Sequence, residues 1–361
     1  MEFDQSRIEQ KQKSLAVKLC QLPCFHLLKL ANIRVIDSGL SQPSFHVKYE
    51  KKAYFAKYLD ANSIEPLASQ LAATHGISPK LIYVGHNWLI TEFITGEGLN
   101  TSLQSEDEKL AIMLTLLARC HSIGDLSQNK PQHLHSDIDH KSLSSVISRS
   151  DVQVSKRPYI PSLDIPSTVN LLLQKIVLNA SQEQAVKSLL NVLQNNLANT
   201  AKIVAISQSV FCHGDANFSN VIQLENNTKS SIYLYKLIDF ECACLASIEY
   251  DLAMLMAVND VDSGKIEIIK SLYQQALISI NQYEKPLKIV GNVVSKTQSI
   301  VEISTLLVTC YLDLSLIINA LWYLAEYQGR KQSKYKKLAK KQLRLLADKH
   351  QQANIVLDEM R

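Results

Sequence analysis

Apolar and polar positions alternate in three short runs near the start of the chain: Ile33-Arg34-Val35-Ile36, Ser44-Phe45-His46-Val47-Lys48-Tyr49 and Lys52-Ala53-Tyr54-Phe55-Ala56-Lys57-Tyr58. A period of two predicts strands with one buried face. Glu50-Lys51 leaves room only for a tight hairpin between the last two, and the turn-rich Asp37-Ser38-Gly39-Leu40-Ser41-Gln42-Pro43 separates the first two. Upstream, Gln5 to Lys29 carries apolar residues at helical spacing and predicts a leading helix. Asn62 to His75 reads as a second helix, with Ser63 as its cap, Pro66 in the first turn where a missing N–H costs little, and Gly76 as its stop. Two further strands, Lys80 to Val84 and Trp88 to Phe93, join across Gly85-His86-Asn87. A small antiparallel sheet with one inserted helix is an α+β arrangement.

Past Gly96-Glu97-Gly98 the period lengthens to that of a helix. Glu106 to Ile123 is predicted helical, and the polar, proline-punctuated stretch from Gly124 to Pro166 mostly loop with room for one short helix. Ser181-Gln182-Glu183-Gln184 has the form of a capping box that opens a helix reaching Leu197. Phe211 to Leu224 and Ile232 to Phe240 predict a strand, a loop and a hairpin, with helices from there to the end. The expected division is a small sheet lobe over 1–94 and a larger, mostly helical lobe over 95–361.

A length of 361 residues suits two lobes better than a single core. A net charge of +4 argues against a dedicated nucleic-acid binder. Seven cysteines, an odd number in a chain of this size, do not make a disulfide framework, and Cys20/Cys24 or Cys242/Cys244, each at most half of a zinc site, are unusually spaced for one. They read as reduced thiols. Met1 to Lys13 is polar and charged, unlike a signal peptide. In the most apolar stretch, Ile300 to Ala325, Glu302 and Asp313 interrupt the roughly 18 apolar residues a membrane span needs. The expectation is a cytoplasmic protein without an integral membrane segment.

The chemistry concentrates in His213-Gly214-Asp215-Ala216-Asn217-Phe218-Ser219-Asn220 and Leu237-Ile238-Asp239-Phe240. A carboxylate, an amide five residues on, and a second carboxylate after the next apolar run are the groups needed to transfer a phosphoryl group from ATP. Asp215 is the candidate base, with His213 in the same catalytic motif. Asn220 and Asp239 offer oxygens to Mg2+. Lys57, at the end of a strand, is placed to hold the nucleotide's phosphates, and Glu65 in the next helix to pair with it. Ser41 in the first loop can donate to phosphates, and backbone groups of Glu92 and Ile94 can bond an adenine.

In this order the motifs resemble the aminoglycoside phosphotransferase and choline kinase superfamily. Leu117-Ala118-Arg119-Cys120-His121 is similar to the family's helix ending in Leu-His, and Leu237-Ile238-Asp239-Phe240-Glu241 is closer to the choline kinase branch. Glu249-Tyr250-Asp251-Leu252-Ala253 matches the family's downstream aspartate, so Asp251 is expected to brace the catalytic loop. The resemblance spans Ile33 to Asn259. It implies a protein-kinase-like bilobal fold and a MgATP-dependent kinase acting on a small alcohol.

The acceptor reading is choline, thiamine or another amino alcohol, with an aminoglycoside or sugar as runner-up and an inert kinase-like binding protein as the alternative class. Choline kinase-like enzymes hold a quaternary ammonium against aromatic faces and carboxylates. Trp322, Tyr323 and Tyr327 are candidates to line that pocket, with Tyr250 and Glu241 opposite. Asn319 stands where the family often has a second tryptophan. Asp313, in an apolar helix, needs a partner, and a lysine or arginine of the same lobe is the preferred one. His133, His135, Asp137, Asp139 and His140 read as scattered polar groups rather than a metal site. Residues 330–349 form a basic amphipathic helix whose apolar stripe is expected to pack on its own domain, with binding to an anionic membrane or nucleic acid as the alternative.

Overall fold

The computed structural model describes residues 2–36, 42–124, 159–204, 208–225, 234–283 and 301–358. Ser41 and the 133–140 histidine and aspartate cluster lie outside these residues. The chain forms two compact units, each assembled from several segments: Met1–Leu103, Ile123–Ile160 and Ser219–Ala243 in the first, Gln104–Ser122, Pro161–Phe218 and Cys244–Arg361 in the second.

The first unit opens with α1 (Glu2–Leu19) and builds a sheet from β1 (Ile33–Ile36), β2 (Ser44–Tyr49), β3 (Lys52–Tyr58), β4 (Leu81–Gly85) and β5 (Trp88–Glu92). Their order is β1-β2-β3-β5-β4, all neighbours antiparallel. The leading helix stops well short of Lys29, and Pro23 sits just beyond its end. Alternation along the strands sends Phe45, Val47, Ala56, Trp88 and Ile90 to one face, where Leu15, Leu19, Leu22, Phe25 and Leu28 cover them. The hairpins at Glu50-Lys51 and His86-Asn87 each place two consecutive residues at positive φ, the geometry whose twist matches the flanking strands.

α2 (Glu65–Thr74) inserts between β3 and β4. Ser63 accepts from the Glu65 N–H at 3.3 Å, and Gly76 takes the left-handed conformation that ends the helix. A three-stranded antiparallel sheet of β6 (Gly96–Gly98), β8 (Val221–Leu224) and β9 (Tyr235–Leu237) completes the unit. Lys236 and Leu237 donate to the carbonyls of Gly76 and Ile77, tying β9 to the end of α2.

The second unit is helical. It holds α3 (Glu106–His121), α4 (Ile165–Leu173), α5 (Ala180–Ile203), α6 (Ile248–Val258), α7 (Ile266–Tyr283), α8 (Thr305–Arg330), α9 (Ser333–Ala347) and α10 (Gln351–Asp358). One antiparallel pair, β7 (Val210–Cys212) with β10 (Cys244–Ala246), accompanies them. The capping box of α5 is Asn179 with Gln182, two residues before the expected Ser181 with Gln184; the asparagine side chain accepts the Gln182 N–H.

By length and composition α8 is the one helix among the described residues that is apolar enough to cross a membrane, despite Asp313. Here its apolar side is buried, largely against α6, α9 and α5. Asp313 is held by Lys349 at 2.8 Å and His350 at 3.3 Å, so its partner is a lysine of the same unit. In α9, Tyr335, Ala339, Leu343 and Leu346 are buried, which seats the apolar stripe on its own unit.

Candidate active site

In the first unit one ammonium gathers three acids. Lys57 is 4% exposed and stands near the end of β3. Its Nζ lies 2.8 Å from Glu65 Oε2, 2.7 Å from Asp239 Oδ1 and 3.3 Å from Glu241 Oε2. Glu65 comes from the first turn of α2, whose start is set by Pro66. Asp239 follows β9 and sits at φ 65°, a left-handed conformation that aspartate tolerates better than most residues. That conformation starts a short 3-10 turn, Phe240–Cys242, which carries Glu241 back to Lys57.

Burial alone lowers the Lys57 pKa, but the carboxylates of Glu65, Asp239 and Glu241 outweigh it and the net shift is upward. Burial raises the Glu65 carboxyl to about 7; Lys57 opposes this while Asp239 and Glu241 reinforce it. Carboxylate oxygens of Glu65, Asp239 and Glu241 lie within 4.8 Å of one another, an all-oxygen anionic donor set of the kind hard divalent cations select.

Asn220 stands at the same end of the β8–β9 ladder as Asp239. Val221 is opposite Leu237, and the Asn220 carbonyl accepts the Ile238 N–H at 2.9 Å. Glu92 does not present a free N–H, because it donates to the Lys80 carbonyl at 2.9 Å while Glu92 Oε1 takes the Lys80 N–H. Ile94 lies two residues beyond the end of β5, where the ladder no longer uses the backbone.

In the second unit, Asp251 organises the loop that carries Asp215. Asp251 is fully buried on α6. It accepts the His213 N–H at 2.8 Å and the Gly214 N–H at 2.9 Å, and meets His121 Nε2 at 3.1 Å. Burial would raise its pKa, but the hydrogen bond and charge of His121, with the loop amides, reverse that and hold it below the usual carboxylate range. Tyr273 on α7 fixes the other face of His121, its hydroxyl 2.7 Å from Nδ1.

His213 is itself fully buried, and its Nδ1 accepts the Asp215 N–H at 3.3 Å. It orients the loop, leaving Asp215 as the half-buried group able to meet a substrate. At φ 78°, Gly214 supplies the left-handed turn between the two. Asn259, just past α6, closes the loop's far side: its Nδ2 donates to the Ala216 carbonyl at 2.8 Å and its Oδ1 accepts the Phe218 N–H at 2.9 Å. Asn259 and Tyr273 were not expected from the sequence, since a lone asparagine at a helix end reads as an ordinary cap.

Trp322 and Tyr323 pack edge to face on α8, ring centres 5.3 Å apart. The Tyr323 hydroxyl pKa is pushed up to about 12, by burial first and then by the carboxylates of Asp215 and Asp260. Tyr250 is a core residue, packed with Cys212, Cys244, Ala246 and Met254 and edge-on to Tyr311. Glu241 belongs to the Lys57 cluster.

The sequence matches the choline/ethanolamine kinase family over residues 49–345. No curated protein matches. Solved structures with a similar fold include choline kinase LicA from Streptococcus pneumoniae, at 15% identity and a TM-score of 0.55 over 86% of this chain and 92% of that one. A choline kinase from Cryptosporidium parvum gives 16% and 0.55 over 96% and 99%, and an ethanolamine kinase from Plasmodium vivax 16% and 0.55 over 88% and 82%. At such identities the likeness speaks for a shared α+β kinase-like fold. With the family matched over most of its length, the chain belongs to the choline/ethanolamine kinases and is an ATP-using small-molecule kinase with an alcohol acceptor.

Proposed function

We propose that the chain transfers the γ-phosphoryl group of MgATP to the hydroxyl of a small cationic amino alcohol such as choline, ethanolamine or thiamine. One observation carries the acceptor class: Asp215 is close enough to add, after burial, to the upward shift of the Tyr323 hydroxyl, and Trp322 packs against Tyr323. A carboxylate within electrostatic reach of an aromatic pair suits an acceptor that presents a cation and a hydroxyl together.

In this reading Asp215 accepts a hydrogen bond from the acceptor hydroxyl, aims its oxygen at the γ-phosphorus and takes its proton as the bond forms. Asp251, His213 and Asn259 hold that loop in place, so orientation is built in before substrate arrives. Lys57 serves the nucleotide phosphates, with Glu65 and Glu241 fixing its position. Ile94 offers its backbone to the adenine and Ser41 its hydroxyl to the phosphates. Asn220 and Asp239 fit a Mg2+ ion by donor type and by their common end of one hairpin. That ion, when bound, neutralises charge on the phosphates. An odd number of cysteines in a chain of this size suits a reducing, cytoplasmic setting.

The test is ADP release by the purified chain with MgATP and a panel of amino alcohols, vitamins, sugars and aminoglycosides. Turnover confined to cationic amino alcohols supports the proposal. Turnover on sugars or aminoglycosides alone rejects the acceptor class, and no turnover on any member favours an inert binding protein.

A further inference from the structure

The same helix whose apolar stripe is buried carries a basic face, most of whose charges have no carboxylate partner among the described residues. Residues 330–349 hold nine Lys or Arg against the single acid Asp348, a net +8 that leaves −4 for the rest of a chain whose total is +4. Arg330, Lys341 and Lys349 are paired, with Glu326, Asp260 and Asp313. Lys331, Lys334, Lys336, Lys337, Lys340 and Arg344 have no carboxylate partner among the described residues, and four of the six are exposed. Leu345, beside Arg344, is 44% exposed on that side.

From these observations we propose that the outer face of α9 docks on an anionic phospholipid bilayer. Concentrated positive charge on an otherwise negative chain orients that face toward a negative surface. Lysine dominates, and a flexible stem with a compact point charge suits mobile headgroups more than the bidentate reading of bases by arginine. Tyr335 is buried at 2% exposure, so the helix's one aromatic ring is not offered for base stacking. Leu345 gives the face an apolar side chain that can enter the headgroup layer. The contact is peripheral, because the stripe that would insert deeper is already occupied by the helix's own unit.

The experiment is co-sedimentation of the full chain with phosphatidylcholine vesicles, with and without phosphatidylserine, at low and high salt. Binding is expected only with phosphatidylserine and is expected to weaken as salt rises. The variant K334Q/K337Q/R344Q is expected to lose affinity on the order of 100-fold. Its basal ADP release and melting temperature are expected to stay at wild-type levels, which separates docking from misfolding. Equal binding to pure phosphatidylcholine, no binding to either vesicle, or an unaltered variant overturns the proposal. So does a duplex DNA or RNA that binds the same face more tightly at the same salt.

Discussion

Lys57 Nζ lies 2.7 Å from Asp239 Oδ1, though 182 residues separate them in the chain. Glu65 reaches the same ammonium at 2.8 Å, with 3% of its side chain exposed. Removing the cation leaves a buried acid unanswered. Lys57→Ala is expected to cost about 3–5 kcal/mol of stability, read by urea unfolding. It is also expected to raise KM for ATP far more than KM for the alcohol. A variant with wild-type stability and ATP KM would show that the cluster is incidental.

Glu65 ties this cluster to pH. Its folded pKa of about 7 stands above the ordinary 4.5, so the folded chain holds the proton more tightly than the unfolded one. Stability from that proton is fully present below pH 4.5 and is lost as pH rises through 7. Glu65→Gln is expected to flatten the fall by about 1–3 kcal/mol, measured as the difference between wild-type and variant unfolding curves across this window. Parallel curves would mean that Glu65 does not titrate there.

Asp251 has the opposite sign. Its folded pKa is depressed, so its contribution is present above the ordinary value of 3.8 and is lost as pH falls through the folded one. Asp251→Asn is expected to destabilise by about 1–3 kcal/mol at neutral pH and to lower kcat, because the His213 and Gly214 amides lose a charged acceptor. ATP affinity should change little. A variant with intact kcat would remove Asp251 from the support of the loop.

Much of the first unit was legible in the sequence. β1, β2 and β3 begin and end where the alternation does, because each hairpin is short and each strand has one buried face. The leading helix was overestimated because apolar periodicity continues past Leu19, through residues that fill the sheet's core without being helical. β10 was missed since three residues are too few to show a period. At the site, residue order anticipated that Glu65 pairs with Lys57 and that Asp251 braces the 213–220 loop, and the contacts are there. The link from Glu241 to Lys57 was not legible there, because the turn after Asp239 is what returns Glu241 to that ammonium. Residue order misjudged Tyr250, which α6 buries in the core. A single chain position does not say which face of a turn or helix its side chain will leave from.

Trp322 and Tyr323 separate acceptor recognition from chemistry. Trp322→Ala is expected to raise KM for the cationic alcohol about 5- to 30-fold, in line with about 1–2 kcal/mol for a desolvated cation–π contact, and to leave KM for ATP unaltered. Steady-state kinetics varying each substrate in turn decides it. A change in ATP KM alone would place the ring elsewhere in the reaction.

The most direct measurement is single-turnover transfer of labelled γ-phosphoryl from ATP to the best amino alcohol, by wild type and by Asp215→Asn. The variant is expected to bind ATP normally and to transfer more slowly by about 10²- to 10⁴-fold. Transfer at the wild-type rate would contradict Asp215 as the group that receives the acceptor's proton.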